Sequence, residues 1–82
     1  MIFNRKYEHG LELMVFLSLH EERVDIAISH EGQCVASFSA RADRMAITEE
    51  AIFFFQGERE LAAAWTAPYP RLCVTTDEDR NA

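Results

Sequence analysis

The stretch LELMVFLSLHEERVDIAIS, residues 11–29, decides the fold. Apolar residues occupy every second position on either side of the polar segment HEER at residues 20–23. They are Leu11, Leu13, Val15, Leu17 and Leu19 before this segment, and Val24, Ile26 and Ile28 after it. Such alternation is typical of strands that bury one face. The stretch therefore predicts two antiparallel strands joined by a polar turn at residues 20–23.

The register of this hairpin follows from the position of the turn. The predicted pairs are Leu19 with Val24, Leu17 with Ile26 and Val15 with Ile28. Every apolar side chain then lies on one face of the sheet, whereas a slip of one residue would send the apolar side chains of a whole strand to the other face. We therefore expect a well-defined register.

A third strand is predicted over residues 34–40. With a turn at residues 31–33, the pairs are His30 with Cys34, Ile28 with Ala36 and Ile26 with Phe38. A tight turn of two residues, Glu31 and Gly32, would instead turn polar Ser37 toward the apolar face. Because this slip breaks the apolar face, we expect the longer turn.

Two flanking segments complete the predicted sheet. Residues 2–7 predict a strand ahead of the meander, connected to it through a turn at His9 and Gly10. At the other end, Leu72 and Val74 recur with the period of a strand. Residues 71–75 therefore predict a last strand that returns to the sheet.

The segment that follows the first three strands carries the signals of a helix. Thr48 is a suitable N-cap residue. Glu49 and Glu50 follow in the first turn, where the helix dipole favours acidic side chains. We therefore predict a helical segment over residues 49–65.

Two further features bear on this helix and on the fold class. Ile47 and Ile52 are spaced as a hydrophobic staple that would hold the start of the helix. Gly57 lies in the middle of the segment, so a kink or break there is the alternative to one continuous helix. The predicted fold class is α+β, an antiparallel β-meander of three to five strands covered by one helical segment over residues 49–65.

The length of the chain supports one domain. A chain of this size, 82 residues, buries about 60–65% of its unfolded surface. We predict a single domain over residues 1–76 and a disordered acidic tail over residues 77–82, which contain no large apolar side chain. Cys34 and Cys73 are expected as reduced thiols in the packed interior.

The chain is acidic, since 14 Asp and Glu residues against 8 Lys and Arg residues give a net charge of −6. This charge disfavours direct contact with nucleic acid or an anionic membrane and favours a protein partner with a basic surface. Glu8 and Glu12 interrupt any secretory signal, and the longest apolar run, residues 13–17, is too short to span a bilayer. We therefore expect a cytoplasmic protein without membrane contact.

The residues do not form a pattern that predicts catalysis. The three glycines are scattered singly, so the sequence has no phosphate-binding loop. His9, His30 and Cys34 would lie close together in the predicted meander, but they lack the paired short-range spacing of a zinc site. We therefore predict no catalytic residue, no metal and no cofactor.

Two groups of apolar residues are left for binding. Met14 and Phe16 lie on the outward face of the predicted meander, which should be polar if it met only water. Phe53, Phe54 and Trp65 belong to a block that points rings in more directions than one helix-on-sheet contact can bury. The alternative is that the helix covers the outward face and that all the rings lie in one core.

These features favour a non-catalytic protein-binding module, acting as an inhibitor, neutraliser or adaptor on a basic, nucleic-acid-binding surface of a larger bacterial or phage-related protein. Immunity proteins and anti-CRISPR inhibitors are analogous in size and charge only. The predicted contact residues are Met14, Phe16, Phe53, Phe54, Trp65, Glu49, Glu50, Glu58 and Glu60. The alternatives are a homo-oligomer, most simply a homodimer, and a small metal-dependent enzyme.

Overall fold

The computed structural model of the chain describes residues 2–18 and 20–75. These residues form eight strands, numbered in chain order, and one short 3-10 helix at Glu8–Gly10. The strands are β1 (Ile2–Lys6), β2 (Leu11–Ser18), β3 (Arg23–His30), β4 (Gln33–Arg41), β5 (Arg44–Ile47), β6 (Ala51–Gln56), β7 (Arg59–Trp65) and β8 (Arg71–Val74). The predicted acidic tail, residues 77–82, lies outside the described residues.

The strands form two antiparallel sheets that share one core. The first sheet has the order β1-β2-β3-β4 and the second the order β5-β6-β7-β8, so each sheet is a meander of four consecutive strands. The largest fully buried side chains are Leu13, Leu17, Val24 and Ile26 of the first sheet and Ile52 and Phe54 of the second. Because these residues belong to a single cluster, the sheets pack face to face as a β-sandwich.

The hairpin of β2 and β3 is confirmed, but its register lies two residues away from the predicted one. The observed pairs are Leu17 with Val24, Val15 with Ile26 and Leu13 with Ile28. The last pair of the ladder is Ser18 with Arg23, so Arg23 belongs to β3 and not to the turn, and Leu19, the predicted partner of Val24, lies outside the described residues. A shift of two residues is a full period of a strand, and the same apolar side chains therefore face the core.

The pairing of β3 with β4 agrees with the prediction in the core and departs from it at the turn. The predicted pairs of Ile28 with Ala36 and of Ile26 with Phe38 are present. The turn, however, consists of Glu31 and Gly32, which have φ values of 53° and 87°. Positive φ at both central positions is typical of the tight hairpin turns whose twist matches that of the strands.

A β-bulge reconciles this tight turn with the apolar face. Ser29 pairs with Cys34, whereas Ile28 pairs with Ala36. Val35 is therefore an extra residue in β4, and its side chain is 61% exposed. The extra residue cancels the one-residue slip that the tight turn would impose. The predicted longer turn is wrong because alternation by itself does not reveal a bulge.

The two flanking strands are confirmed. β1 pairs antiparallel with β2, and β8 pairs antiparallel with β7. The 3-10 helix at Glu8–Gly10 makes the connection from β1 to β2, and the N–H of Tyr7 donates to the carbonyl oxygen of Leu11 at 2.7 Å across it. β8 belongs to the second sheet, not to the meander that was predicted to receive it.

The predicted helical segment over residues 49–65 is wrong, and with it the covering helix and the α+β class. These residues form the hairpin of β6 and β7, so the described part of the chain is almost entirely antiparallel sheet. Ile52 and Phe54 both face the core, which is the period of a strand and not of a helix. Gly57 has a φ of 63° and forms the two-residue turn together with Glu58.

The residues that resemble a helix N-cap close a turn between two strands. Thr48 Oγ1 accepts hydrogen bonds from the N–H groups of Ala51 at 3.0 Å and of Glu50 at 3.3 Å. It also donates to the carbonyl oxygen of Ala51 at 2.9 Å. Ile47 and Ile52 are cross-strand neighbours in β5 and β6 instead of a staple. A hydroxyl can cap either structure because a helix start and a turn both leave backbone N–H groups to be paired.

The chain passes from the first sheet to the second at Ala42 and Asp43. Ala42 is buried, and its N–H donates to the carbonyl oxygen of Glu22 at 2.8 Å. The carboxylate of Asp43 accepts the N–H of Gly57 at 3.1 and 3.2 Å. These hydrogen bonds attach the corner to the β2–β3 turn on one side and to the β6–β7 turn on the other.

Candidate binding site

The outer face of the first sheet carries two large apolar side chains. β2 directs Leu13, Val15 and Leu17 into the core, so the residues between them point outward. Met14 is 47% exposed and Phe16 is 48% exposed. Both residues lie on the face that the sequence pattern predicted for them, and the second sheet packs against the opposite face.

An open groove, the outer groove, lies over this face and has a volume of about 590 Å³. Its floor includes Met14, Phe16 and Ala27. Its polar rim consists of Asn4, Glu12, Asp25, Ser37 and Ser39. Sites that hold small ligands or single anchoring side chains have volumes in this range. The outer groove is therefore large enough for an apolar side chain of a partner.

Interactions with neighbouring side chains orient the carboxylates of the two acidic rim residues, Glu12 and Asp25. Asn4 Nδ2 donates to Glu12 Oε2 at 2.7 Å. Ser39 Oγ donates to Asp25 Oδ1, and Arg23 Nε lies 3.4 Å from Asp25 Oδ2. The rim thus presents oriented carboxylates beside an apolar floor. This combination suits a ligand that has an apolar group next to a cation.

The outer face of the second sheet is covered by its own side chains. The rings of Phe53 and Trp65 meet edge to face, with centroids 6.3 Å apart and planes at 74°. The guanidinium of Arg44 lies 4.3 Å from the ring centroid of Phe55, and that of Arg71 lies 5.3 Å from that of Trp65. Because these cations occupy ring faces, the second sheet offers less free aromatic surface to a partner.

These arginine–ring contacts were missed from the sequence. Arg44 and Phe55 are cross-strand neighbours in β5 and β6, and Trp65 and Arg71 are cross-strand neighbours in β7 and β8. Each pair forms only because two strands lie side by side. A helix over residues 49–65 would have separated them, so the wrong secondary structure also hid the contacts.

The predicted contact residues do not form one surface. Met14 and Phe16 lie on the outer face of the first sheet, while Phe53 and Trp65 lie on that of the second. Phe54 is 0% exposed and belongs to the core, so it cannot meet a partner. Of the predicted acids, Glu49 and Glu50 lie in the turn before β6, Glu58 lies in the turn after it, and Glu60 lies in β7.

Residues 2–18 and 20–75 were also searched for a metal site, for paired cysteines and for a membrane-spanning helix. No three His, Cys, Asp or Glu side chains in these ranges are grouped to hold a metal ion. Cys34 and Cys73 are free thiols, but they are exposed and not interior as predicted. Within the same ranges, no helix has the length and apolar character needed to cross a membrane.

The chain was compared with protein families, with curated proteins and with solved structures, and none of them matches it. Function is therefore inferred from the outer groove and its residues. This site joins half-exposed apolar side chains to oriented acids in one place.

Proposed function

We propose that the protein is a non-catalytic binding module that holds a segment of a partner protein in the outer groove. The observation that carries the proposal is the half-exposed pair Met14 and Phe16 at the centre of a sheet face. A sheet face that meets only water carries polar side chains, whereas an apolar patch inside a polar rim is a usual form of partner site.

The rim indicates the chemistry of the partner. Glu12 is placed to accept hydrogen bonds from a Lys or Arg side chain that flanks an apolar anchor, whereas Asp25 already interacts with Arg23 and Ser39. The net charge of −6 attracts a basic surface over a longer range and speeds the encounter. Inhibition or neutralisation of a basic, nucleic-acid-binding surface in the cytoplasm is the role that this chemistry favours.

Selection from a phage-displayed library of random peptides tests the proposal even while the natural partner is unidentified. We expect enrichment of peptides with an aromatic or aliphatic anchor flanked by Lys or Arg. The variant Met14→Ser plus Phe16→Ser, called the floor variant, should not enrich these peptides. It removes the apolar floor of the groove and leaves the core intact. The matched control is Ile47→Ser plus Tyr69→Ser, which changes two exposed side chains outside the groove.

A second variant separates the charge of the rim from the apolar floor. Glu12→Gln keeps the size of the side chain and removes its negative charge. We expect the dissociation constant of the selected basic peptides, measured by calorimetry, to rise about two- to fivefold in this variant. The change is small because an ion pair at the exposed rim contributes little to binding. Equal enrichment by the wild type and the floor variant would contradict the proposal, and enrichment of acidic peptides would contradict the assigned partner charge.

A further inference from the structure

β4 is a long edge strand whose segment after the bulge at Val35, residues 36–40, has no charged side chain, no proline and no bulge of its own. It has nine residues and pairs with β3 on one side, while on its other side no described strand forms a ladder with it. Residues 33–40 contain no charged side chain and no proline. Proteins normally protect a long edge with such residues, because its free backbone groups bind another strand.

The other three edges differ from β4. The edge strand β1 has five residues and includes Arg5 and Lys6, two basic side chains of the kind that oppose strand addition, whereas β4 has one, Arg41, at its end. The edge strands β5 and β8 have only four residues each. A free ladder of useful length is therefore offered by β4.

The sequence of β4 is self-complementary. Residues 36–40 read ASFSA in both directions. If two copies pair antiparallel about an axis at Phe38, the opposed residues are Ala36 with Ala40, Ser37 with Ser39, and Phe38 with Phe38. The pairing has two-fold symmetry, so each contact occurs twice about the axis, and in this segment every opposed pair joins side chains of the same type.

Both faces of such a pairing are chemically matched. Phe38 is half-buried and packs against the core, so two Phe38 rings at the axis would join the cores of the two copies. Ser37 and Ser39 are exposed on the outer face, where cross-strand serine pairs form hydrogen bonds. Ala36 and Ala40 place no bulky or charged side chain beside the two Phe38 rings.

We propose that β4 is a self-association edge through which two copies of the chain pair antiparallel and form one continuous eight-stranded sheet. The axis stands perpendicular to the sheet, so both outer grooves lie on the same face. Ser37 and Ser39 line the outer groove, and the corresponding serines of the second copy continue its rim across the axis. This inference does not depend on the binding function of the groove.

The oligomeric state in solution tests the proposal. Sedimentation equilibrium should give twice the chain mass of 9.4 kDa over the micromolar range. In Ser37→Lys plus Ser39→Lys, lysines of the two copies face each other, and we expect the dissociation constant of the dimer to rise at least about tenfold. The matched control Gln56→Lys plus Thr75→Lys adds the same charge at two exposed positions, the end of β6 and the residue after β8, and should leave the dimer unchanged.

A charge swap shows whether the loss comes from pairing at β4 or from a damaged fold. Ser37→Glu plus Ser39→Glu should also be monomeric alone, and a mixture of the lysine and glutamate variants should form a heterodimer. A wild type that is monomeric throughout, or a mixture that stays monomeric, would overturn the proposal. A dimer that survives both β4 variants but dissociates in Met14→Ser plus Phe16→Ser would overturn it too, because the outer groove would then be the interface.

Discussion

At the scale of single residues, the side of the strand decides what an aromatic ring does. Phe54 is completely buried and belongs to the cluster that joins the two sheets. Phe16 is 48% exposed on the floor of the outer groove. Two chemically identical side chains thus have different environments, since one lies in the core and the other on an exposed sheet face.

Alanine substitutions at these two positions should differ strongly in cost. Phe54→Ala leaves a cavity in the shared core, and we expect it to lower the free energy of unfolding by about 3–5 kcal/mol. That is a large share of the roughly 5–15 kcal/mol typical of a whole domain. Phe16→Ala should cost less than about 1 kcal/mol. Urea unfolding measures both, and an equal cost for Phe16→Ala would show that its ring is covered.

At the scale of elements, residues 49–65 show how local signals can favour two structures. Thr48 followed by two acids suits a helix start, and it also suits the turn that Thr48 Oγ1 closes between β5 and β6. The choice is made across the hairpin, where Ile52 pairs with Ala64 and Phe54 pairs with Ala62. The small side chains of Ala62 and Ala64 leave room in the core for the larger side chains of their cross-strand partners, Phe54 and Ile52.

The β6–β7 turn requires a positive φ at Gly57. Its φ of 63° is in the left-handed region, and a Cβ atom there would meet nothing within 4 Å, so the cost of a substitution is conformational and not steric crowding. We expect Gly57→Ala to destabilise the protein by about 1–2 kcal/mol. Gly57→Asn should cost less, because asparagine tolerates this conformation. Thermal unfolding of the two variants provides the comparison, and equal stability of wild type and Gly57→Ala would exclude the left-handed turn.

At the scale of the whole molecule, polar contacts supplement the shared core in holding the sheets together. Tyr7 Oη and Arg5 Nη1 both donate to the carbonyl oxygen of Thr66, the arginine at 3.1 Å. Thr66 is buried, and its N–H donates to the carbonyl oxygen of Glu50 at 2.8 Å. The connection between β7 and β8 is thereby attached to the end of the first sheet.

A double-mutant cycle measures this attachment. Tyr7→Phe and Arg5→Met each leave one donor on the Thr66 carbonyl oxygen, and each should cost about 1 kcal/mol. The double variant leaves a partly buried acceptor without either side-chain donor, so its cost should exceed the sum of the single costs by about 1 kcal/mol. Denaturant unfolding gives all three values. Strict additivity would show that the two donors act independently.

The sequence by itself determined the strands of the first sheet, the last strand and the side of the sheet on which Met14 and Phe16 lie. These features depend on alternation within short contiguous segments, and a strand period of two is visible in each segment alone. The core pairs of Ile26 with Phe38 and Ile28 with Ala36 were predictable for the same reason, because only that alignment keeps one face apolar.

Only the tertiary structure decided the two-residue shift of the first hairpin, the bulge at Val35 and the hairpin in place of a helix. It also decided that Phe54 is buried and that arginines cover the rings of the second sheet. The physical reason is common to all of these features. Each depends on which residues of separate strands lie side by side, and a shift by a full strand period or a compensated bulge leaves the pattern within each strand unchanged.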